Sequence, residues 1–171
     1  MTKINGISTS TQLLGIIGNP IEHSMSPAIH NRAFRELGLD YVYLAFRVED
    51  VESAIRAVRA MENFKGLSVT IPHKMAVIKF LDQLDQVDVS IGSVNTIIKE
   101  GNIIKGLGTD GPGARKALSD AGVALKNKQI LLLGSGGAAR AIAFDLAYNA
   151  NPSMISLLGV ASEELNILAS D

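Results

Sequence analysis

The 171 residues include no cysteine. That rules out a disulfide scaffold, a thiolate metal site and a cysteine nucleophile, and it suits a cytosolic protein. Charge of one sign is not in excess either. Sixteen basic and 17 acidic residues leave a formal net charge of -1, so the footprint of a nucleic-acid or anionic-membrane binder is missing and a small molecule is the expected partner. No apolar stretch reaches the roughly 18 residues that cross a bilayer. The opening MTKINGISTSTQLLGIIG lacks the basic start and long apolar run of a signal peptide, so the expected location is cytoplasmic. Repeats and low-complexity tracts are absent. His23, His30 and His73 are the only histidines, and their spacing with nearby acids fits no common ligand motif, so no metal is expected.

What is present is 47% hydrophobic and only 19% charged, enough for a sizeable core. Short apolar strands alternate with amphipathic helices between Gly and Pro breaks, which predicts an α/β fold. Residues 13–17 read as a strand. Ser26-Pro27 then gives an N-cap with Pro at the first helical position, and a helix runs to about Leu37 with an apolar stripe of Ile29, Ala33, Phe34 and Leu37. Strand 41–46, a helix with stripe Val51, Ala54, Ile55, Val58 and Met61, strand 66–71 and helix 72–81 follow. Residues 94–98 and 103–107 flank a Glu100-Gly101-Asn102 turn and predict a β-hairpin. A helix begins after Thr109-Asp110-Gly111 and stops at Gly122. Past Lys126-Asn127-Lys128 come strand 129–133, a glycine-rich turn, helix 138–148, strand 154–158 and a last amphipathic segment. A nucleotide-binding half needs βαβαβ; this stretch supplies βαβ and one further helix.

Four places carry candidate chemistry. Gly134-Ser135-Gly136-Gly137-Ala138-Ala139 fits G-x-G-x-x-A between a strand and a helix. There glycine lets the backbone approach a pyrophosphate and the helix N-terminus offers free N–H groups. The alternative is a tight turn that holds nothing. Ser24 and Ser26 stand at a helix N-terminus, suited to a carboxylate or phosphate, with a plain N-cap as the alternative. Lys74 falls in the first turn of a helix, where a cation is disfavoured by about 0.3–1 kcal/mol and is therefore easier to use in acid–base chemistry. A solvated surface lysine is the competing reading, and His73, pointing the other way, is read as structural. Asp110 is either an N-cap or a carboxylate that orients Lys74. Asn95 offers an amide to a substrate hydroxyl, or to a neighbouring backbone group.

Taken in order, Gly15-Ile16-Ile17-Gly18, Ser24-x-Ser26-Pro27 with His30-Asn31, Val69-Thr70-Ile71-Pro72-His73-Lys74, Val94-Asn95-Thr96, Thr109-Asp110-Gly111 and the glycine-rich turn resemble the shikimate/quinate dehydrogenase family. The resemblance spans residues 15–139. It implies an α/β substrate-binding domain (1–110), a connecting helix (111–124) and the first part of a Rossmann-type NADP-binding domain (125–171). By the same resemblance, Ser24 and Ser26 hold the substrate carboxylate, Thr70 and Asn95 hold ring hydroxyls, and Lys74 with Asp110 forms the acid–base pair. Gly134, Ser135, Gly136, Gly137 and Ala138 line the NADP pyrophosphate site. The implied reaction is reversible NADPH-dependent reduction of 3-dehydroshikimate to shikimate in aromatic amino-acid biosynthesis. Quinate as substrate, a non-catalytic module that binds a cyclic hydroxy-carboxylate, and self-association through a strand edge near residues 154–158, as in a homodimer, are the alternatives. Three positions depart from the family pattern: Ser68 and Gly108 stand where Asn is common, and Leu158-Gly159-Val160 replaces a segment whose Arg grips a 2′-phosphate.

Overall fold

A computed structural model describes residues 6–160 and 162–170. The first five residues of the expected substrate domain, and Ala161 and Asp171 of the expected nucleotide segment, lie outside the described residues. The chain divides into two compact units, 1–85 with 94–107, and 86–93 with 108–171. Sequence reasoning put 86–93 and 108–110 in the first domain. They group with the second because residues 86–93 fold into a short helix tied by hydrogen bonds to the loop before Asp110 and to a later helix.

The first unit begins with β1 (Gln12–Gly18), α1 (Ser26–Glu36), β2 (Tyr41–Arg47), α2 (Val51–Ala60) and β3 (Phe64–Val69). β1 pairs in parallel with β2 on one side and β3 on the other. Successive side chains of a strand point to opposite faces, and β1 shows this directly. Ile17 joins Ile55, Val58, Phe64, Leu67 and Val69 beneath α2, whereas Ile16 joins Tyr43 and Phe34 beneath α1. Both faces of the parallel strands are thus covered, as parallel sheets require. Asp50 caps α2, its carboxylate accepting the N–H groups of Glu52 and Ser53 at 3.0 and 3.2 Å.

After β3 a single α-turn, α3 (His73–Ala76), tightens into a 3-10 turn (Val77–Phe80), so the expected ten-residue helix is really two short ones. A two-residue strand, β4 (Gln83–Leu84), precedes the hairpin of β5 (Thr96–Glu100) and β6 (Ile103–Leu107), whose turn holds Gly101 at φ +61°. The sheet order is β2-β1-β3-β5-β6-β4. Val77, Val94, Ile97 and Ile104 are sealed in the same core as Ile17.

The second unit holds α4 (Gln86–Ile91), α5 (Asp110–Asp120), β7 (Gln129–Leu133), α6 (Gly137–Asn149), β8 (Met154–Leu158) and α7 (Ser162–Ser170). β7 and β8 pair in parallel as a two-stranded sheet. α5 lies tight on α6. A Cβ at Gly111 would fall 2.5 Å from the Ala141 carbonyl oxygen, and Arg115 bridges to the buried Asp145 at 2.7 Å. Arg140 in α6 is buried, donates to the Ile91 carbonyl at the end of α4, and lies over the Phe144 ring. Among the described residues no helix is long and apolar enough to cross a membrane.

Candidate functional site: the strand ends of the first unit and the glycine-rich turn of the second

In an open α/β sheet a ligand sits beyond the carboxyl ends of the strands, where the chain order switches direction. The 2-1-3 order of the parallel strands puts that point at the ends of β1 and β3. The two loops that leave these ends are joined: Asn19 N–H donates to the Ile71 carbonyl at 3.0 Å, and Thr70 N–H to the Ile17 carbonyl at 2.9 Å. Gly18 permits the approach, since a Cβ there would fall 2.5 Å from Thr70 Cγ2. The Asn19-Pro20 and Ile71-Pro72 peptide bonds are both cis.

The β1 loop carries the serines. Ser24 Oγ accepts the Ser26 N–H at 3.3 Å, and helix α1 starts at Ser26 itself. Sequence reasoning made Ser26 the N-cap. The cap position is instead Met25, which makes no side-chain cap bond, so the Ser26 hydroxyl is not committed to capping. Glu22 in this loop is held below the usual carboxylate range by its own backbone N–H and that of Ile21, then by Arg47.

The β3 loop carries Thr70 and Lys74. The strand ends at Val69, not at Ile71 as expected, which leaves Thr70 half-buried in the loop beside Gly18. His73 is 5% exposed and its ring nitrogen bonds the Val48 carbonyl at 2.8 Å. That anchor fits the structural role expected of it. Lys74 is half-buried, and its carbonyl accepts the Val94 N–H at 2.9 Å, which ties the lysine to the residue before Asn95. Asn95 is fixed on both sides: its carbonyl accepts Val69 N–H at 2.8 Å and its N–H donates to Leu107 at 3.3 Å. Thr96, paired opposite Ser68, bonds the Asn95 side-chain oxygen at 3.4 Å.

The first unit therefore gathers Ser24, Ser26, Thr70, Lys74 and Asn95 on connected backbone at the strand ends. Asp110 belongs to the second unit, as the first residue of α5; Thr109, with no side-chain cap bond, holds the cap position that reasoning gave to Asp110. The sequence flagged Ser68 only as a departure and missed Tyr43 altogether. The Tyr43 hydroxyl donates to Ser68 Oγ at 2.7 Å. Burial pushes this phenol above its usual 10.0, while Ser68 and Ser26 pull the other way. One signal was available, since an aromatic with a polar tip inside a strand facing the serine helix calls for a hydrogen-bond partner.

In the second unit the glycine-rich turn stands at the end of β7. Gly134 has φ +127°, a conformation L side chains rarely adopt, and its N–H donates to Leu158 at 2.7 Å. Gly136 is the cap of the 13-residue α6 with no side-chain cap bond, and a Cβ there would meet nothing within 4 Å. The helix start is thus open to an anion approaching Gly137 and Ala138. Ser135 packs beside Gly159, where a Cβ would lie 3.2 Å from its Oγ.

Residues 16–97 match the family model for the shikimate dehydrogenase substrate binding domain. Over that span the chain is similar to the shikimate dehydrogenase family. An NADP(+) shikimate dehydrogenase of Methanobrevibacter smithii is 48% identical over 168 residues, 96% of this chain and 58% of that protein. A shikimate dehydrogenase solved in complex with NADP+ superposes with a TM-score of 0.88 at 42% identity, over 96% of this chain and 56% of that one. The shikimate 5-dehydrogenase of Listeria monocytogenes, solved with shikimate and NAD, gives 0.87 at 36% identity, over 99% of this chain and 59% of the other. The chain thus spans a little over half the length of these shikimate dehydrogenases.

Proposed function

We propose that this chain provides the substrate-binding part and the pyrophosphate-binding turn of an NADP-dependent shikimate dehydrogenase, which reversibly reduces 3-dehydroshikimate to shikimate in aromatic amino-acid biosynthesis. The observation that carries the reading is the grouping of Ser24, Ser26, Thr70, Asn95 and Lys74 at the switch point of a family-matched sheet. Ser24 and Ser26 hold the substrate carboxylate, and Thr70 and Asn95 hold ring hydroxyls. Lys74 delivers a proton to the oxygen that becomes the new hydroxyl and takes it back in the reverse direction. Asp110 is the acidic member of the acid–base pair, and residues 1–110 make up the substrate domain. Residues 111–124 connect it to the nucleotide segment 125–171.

The open start of α6, with Gly134, Ser135, Gly136, Gly137 and Ala138, fits a pyrophosphate. NADPH, when bound, supplies the hydride for the ketone carbon. Leu158-Gly159-Val160 offers neither an acid for a ribose hydroxyl nor an Arg for a 2′-phosphate, so selectivity for NADP over NAD comes from elsewhere. The proposed setting is the cytoplasm, with a second copy of the chain in a homodimer as the macromolecular partner and no role for nucleic acid or membrane.

Isothermal titration of this chain with shikimate, and separately with NADPH, tests the two half-sites independently. Saturable shikimate binding that is lost in Ser26→Ala is the expected result. Absence of shikimate binding would refute the substrate assignment, and absence of NADPH binding would refute the cofactor assignment for this chain.

A further inference from the structure

Helix α4 buries the wrong residue for its sequence. Val87 and Val89 are 68% and 58% exposed, whereas Asp88 between them is 8% exposed. Taking a carboxylate out of water is costly unless hydrogen bonds to it offset the lost hydration, so an acid buried in place of two valines calls for a bond worth that cost. Asp88 Oδ2 accepts the Gly108 N–H at 3.1 Å. Its other oxygen lies where a Cβ on residue 108 would fall, so the carboxylate fits against the bare backbone of the loop. Asp88 belongs to none of the contacts assigned above to substrate or cofactor.

The acid is itself held from behind. Its carbonyl accepts the Gly92 N–H at 2.9 Å as α4 ends, and Gly92 turns the chain with φ +67°. The buried Arg140 of α6 donates to the Ile91 carbonyl at the same helix end. On the far side of the loop, Gly111 packs so closely on α6 that a Cβ there would lie 2.5 Å from the Ala141 carbonyl oxygen. Asp110 lies between these two fixed points. Two residues before it the backbone is pinned by Asp88, and one residue after it the backbone is pressed against α6.

We propose that Asp88 is a positioning residue for the reaction: by holding the Gly108 N–H it fixes the place from which the Asp110 side chain leaves the backbone. The inference rests on the dehydrogenase reading above, in which Asp110 is the acidic member of the acid–base pair. A reacting group must be held to a fraction of an ångström, and a misplacement of about 1 Å costs on the order of a hundredfold in rate. Helix α4 is thus a bracket for Asp110, with its valines left outside because the acid must face in.

Amide exchange in the 171-residue chain tests the anchor. In Asp88→Ala the Gly108 and Asp110 amides should exchange at least about tenfold faster, the loss of one hydrogen bond to a charged group. Amides in the middle of α6 should stay within about twofold of the unsubstituted chain. Asp88→Asn keeps an acceptor oxygen at the same place and should restore Gly108 protection to within about threefold. Unchanged exchange at Gly108, equal acceleration throughout α4, α5 and α6, or no rescue by Asn would each overturn the proposal. Turnover gives the readout that a packing role would not move. In a chain extended to the length of its relatives, Asp88→Ala should lower kcat about ten- to a hundredfold with the KM for shikimate within about twofold, and Asp88→Asn should recover most of the loss. An unaltered kcat, or a raised KM with kcat kept, would overturn it as well. An unsubstituted extended chain that does not turn over shikimate would instead fail the functional reading on which the inference stands.

Discussion

In the first unit β1 and β3 lie between two helices, with Ile17, Val77 and Ile104 sealed from solvent; in the second, Leu131 and Leu133 of β7 are 62% and 70% exposed. The contrast bears on the chemistry each can do. Hydroxyl donors that must keep a fixed separation stand at the ends of strands in a six-stranded sheet with a sealed core, whereas the glycine-rich turn stands on a parallel pair of strands. A two-stranded sheet has little of its own stability and depends on the helices packed against it. The substrate site should therefore survive conditions that loosen the nucleotide turn. Amide exchange that is slower in β1 and β3 than in β7 and β8 would support this, and equal protection would break the comparison.

The largest expected effect is on catalysis. In a chain extended to the length of its relatives, Lys74→Ala should lower kcat by about 100- to 10,000-fold with little change in thermal stability. Near-normal turnover would remove the acid–base assignment. The next effect sets core against surface. Ile104→Ala should cost about 2–5 kcal/mol in denaturant unfolding, because it opens a cavity in a sealed core. Leu133→Ala, in the other unit, should fall within about 0.5 kcal/mol of wild type. Comparable losses would mean that β7 is as well packed as β6.

Gly108→Ala sharpens the contrast at a single loop. Its new Cβ would fall 2.4 Å from Asp88 Oδ1, so a loss of about 1–3 kcal/mol is expected, partly recovered by Asp88→Ala. The same geometry accounts for a departure noted in the sequence. Gly fits this position, because the Asp88 carboxylate occupies the space a side chain would take and accepts the Gly108 N–H at 3.1 Å.

The smallest effect is a pH slope. Burial raises the Tyr43 phenol above its usual 10.0 in the folded state. The associated stabilisation is therefore complete below about pH 10 and is lost as pH rises through the folded value. Alkaline unfolding of Tyr43→Phe should have a shallower slope than wild type, and identical slopes would argue against a buried neutral phenol.

Where sequence reasoning succeeded, the side-chain pattern and the burial agreed. The α2 stripe of Val51, Ile55 and Val58 is buried as its spacing requires. It failed where polar groups do the packing. Ile29 in α1 and Leu37 at its C-cap are exposed, while His30 and Asn31 meet the sheet through stacking and hydrogen bonds that a hydrophobic stripe does not encode. Helix α4 went unread because its pattern is inverted, with Val87 and Val89 exposed and Asp88 8% exposed. The site followed the same division. Ordered motifs gave Ser24, Ser26, Thr70, Lys74 and Asn95, but Tyr43 belongs to no motif and is tied to Ser68 only by folding.

The Asn31 side chain, which accepts the Tyr43 N–H at 2.9 Å and donates to the Tyr43 carbonyl at 2.8 Å, acts as a ruler for the whole site. Its amide also donates to the Pro27 carbonyl at 2.8 Å, so one side chain reads the first turn of α1 and the middle of β2 at once. A one-residue slide of the helix along the strand, roughly 1.5 Å, would break both bonds to Tyr43 together while leaving the one to Pro27 intact. The distance from the serines at the helix start to the threonine beyond β3 is thereby set in discrete steps, and a ligand spanning it meets a gauge of fixed length instead of an adjustable jaw.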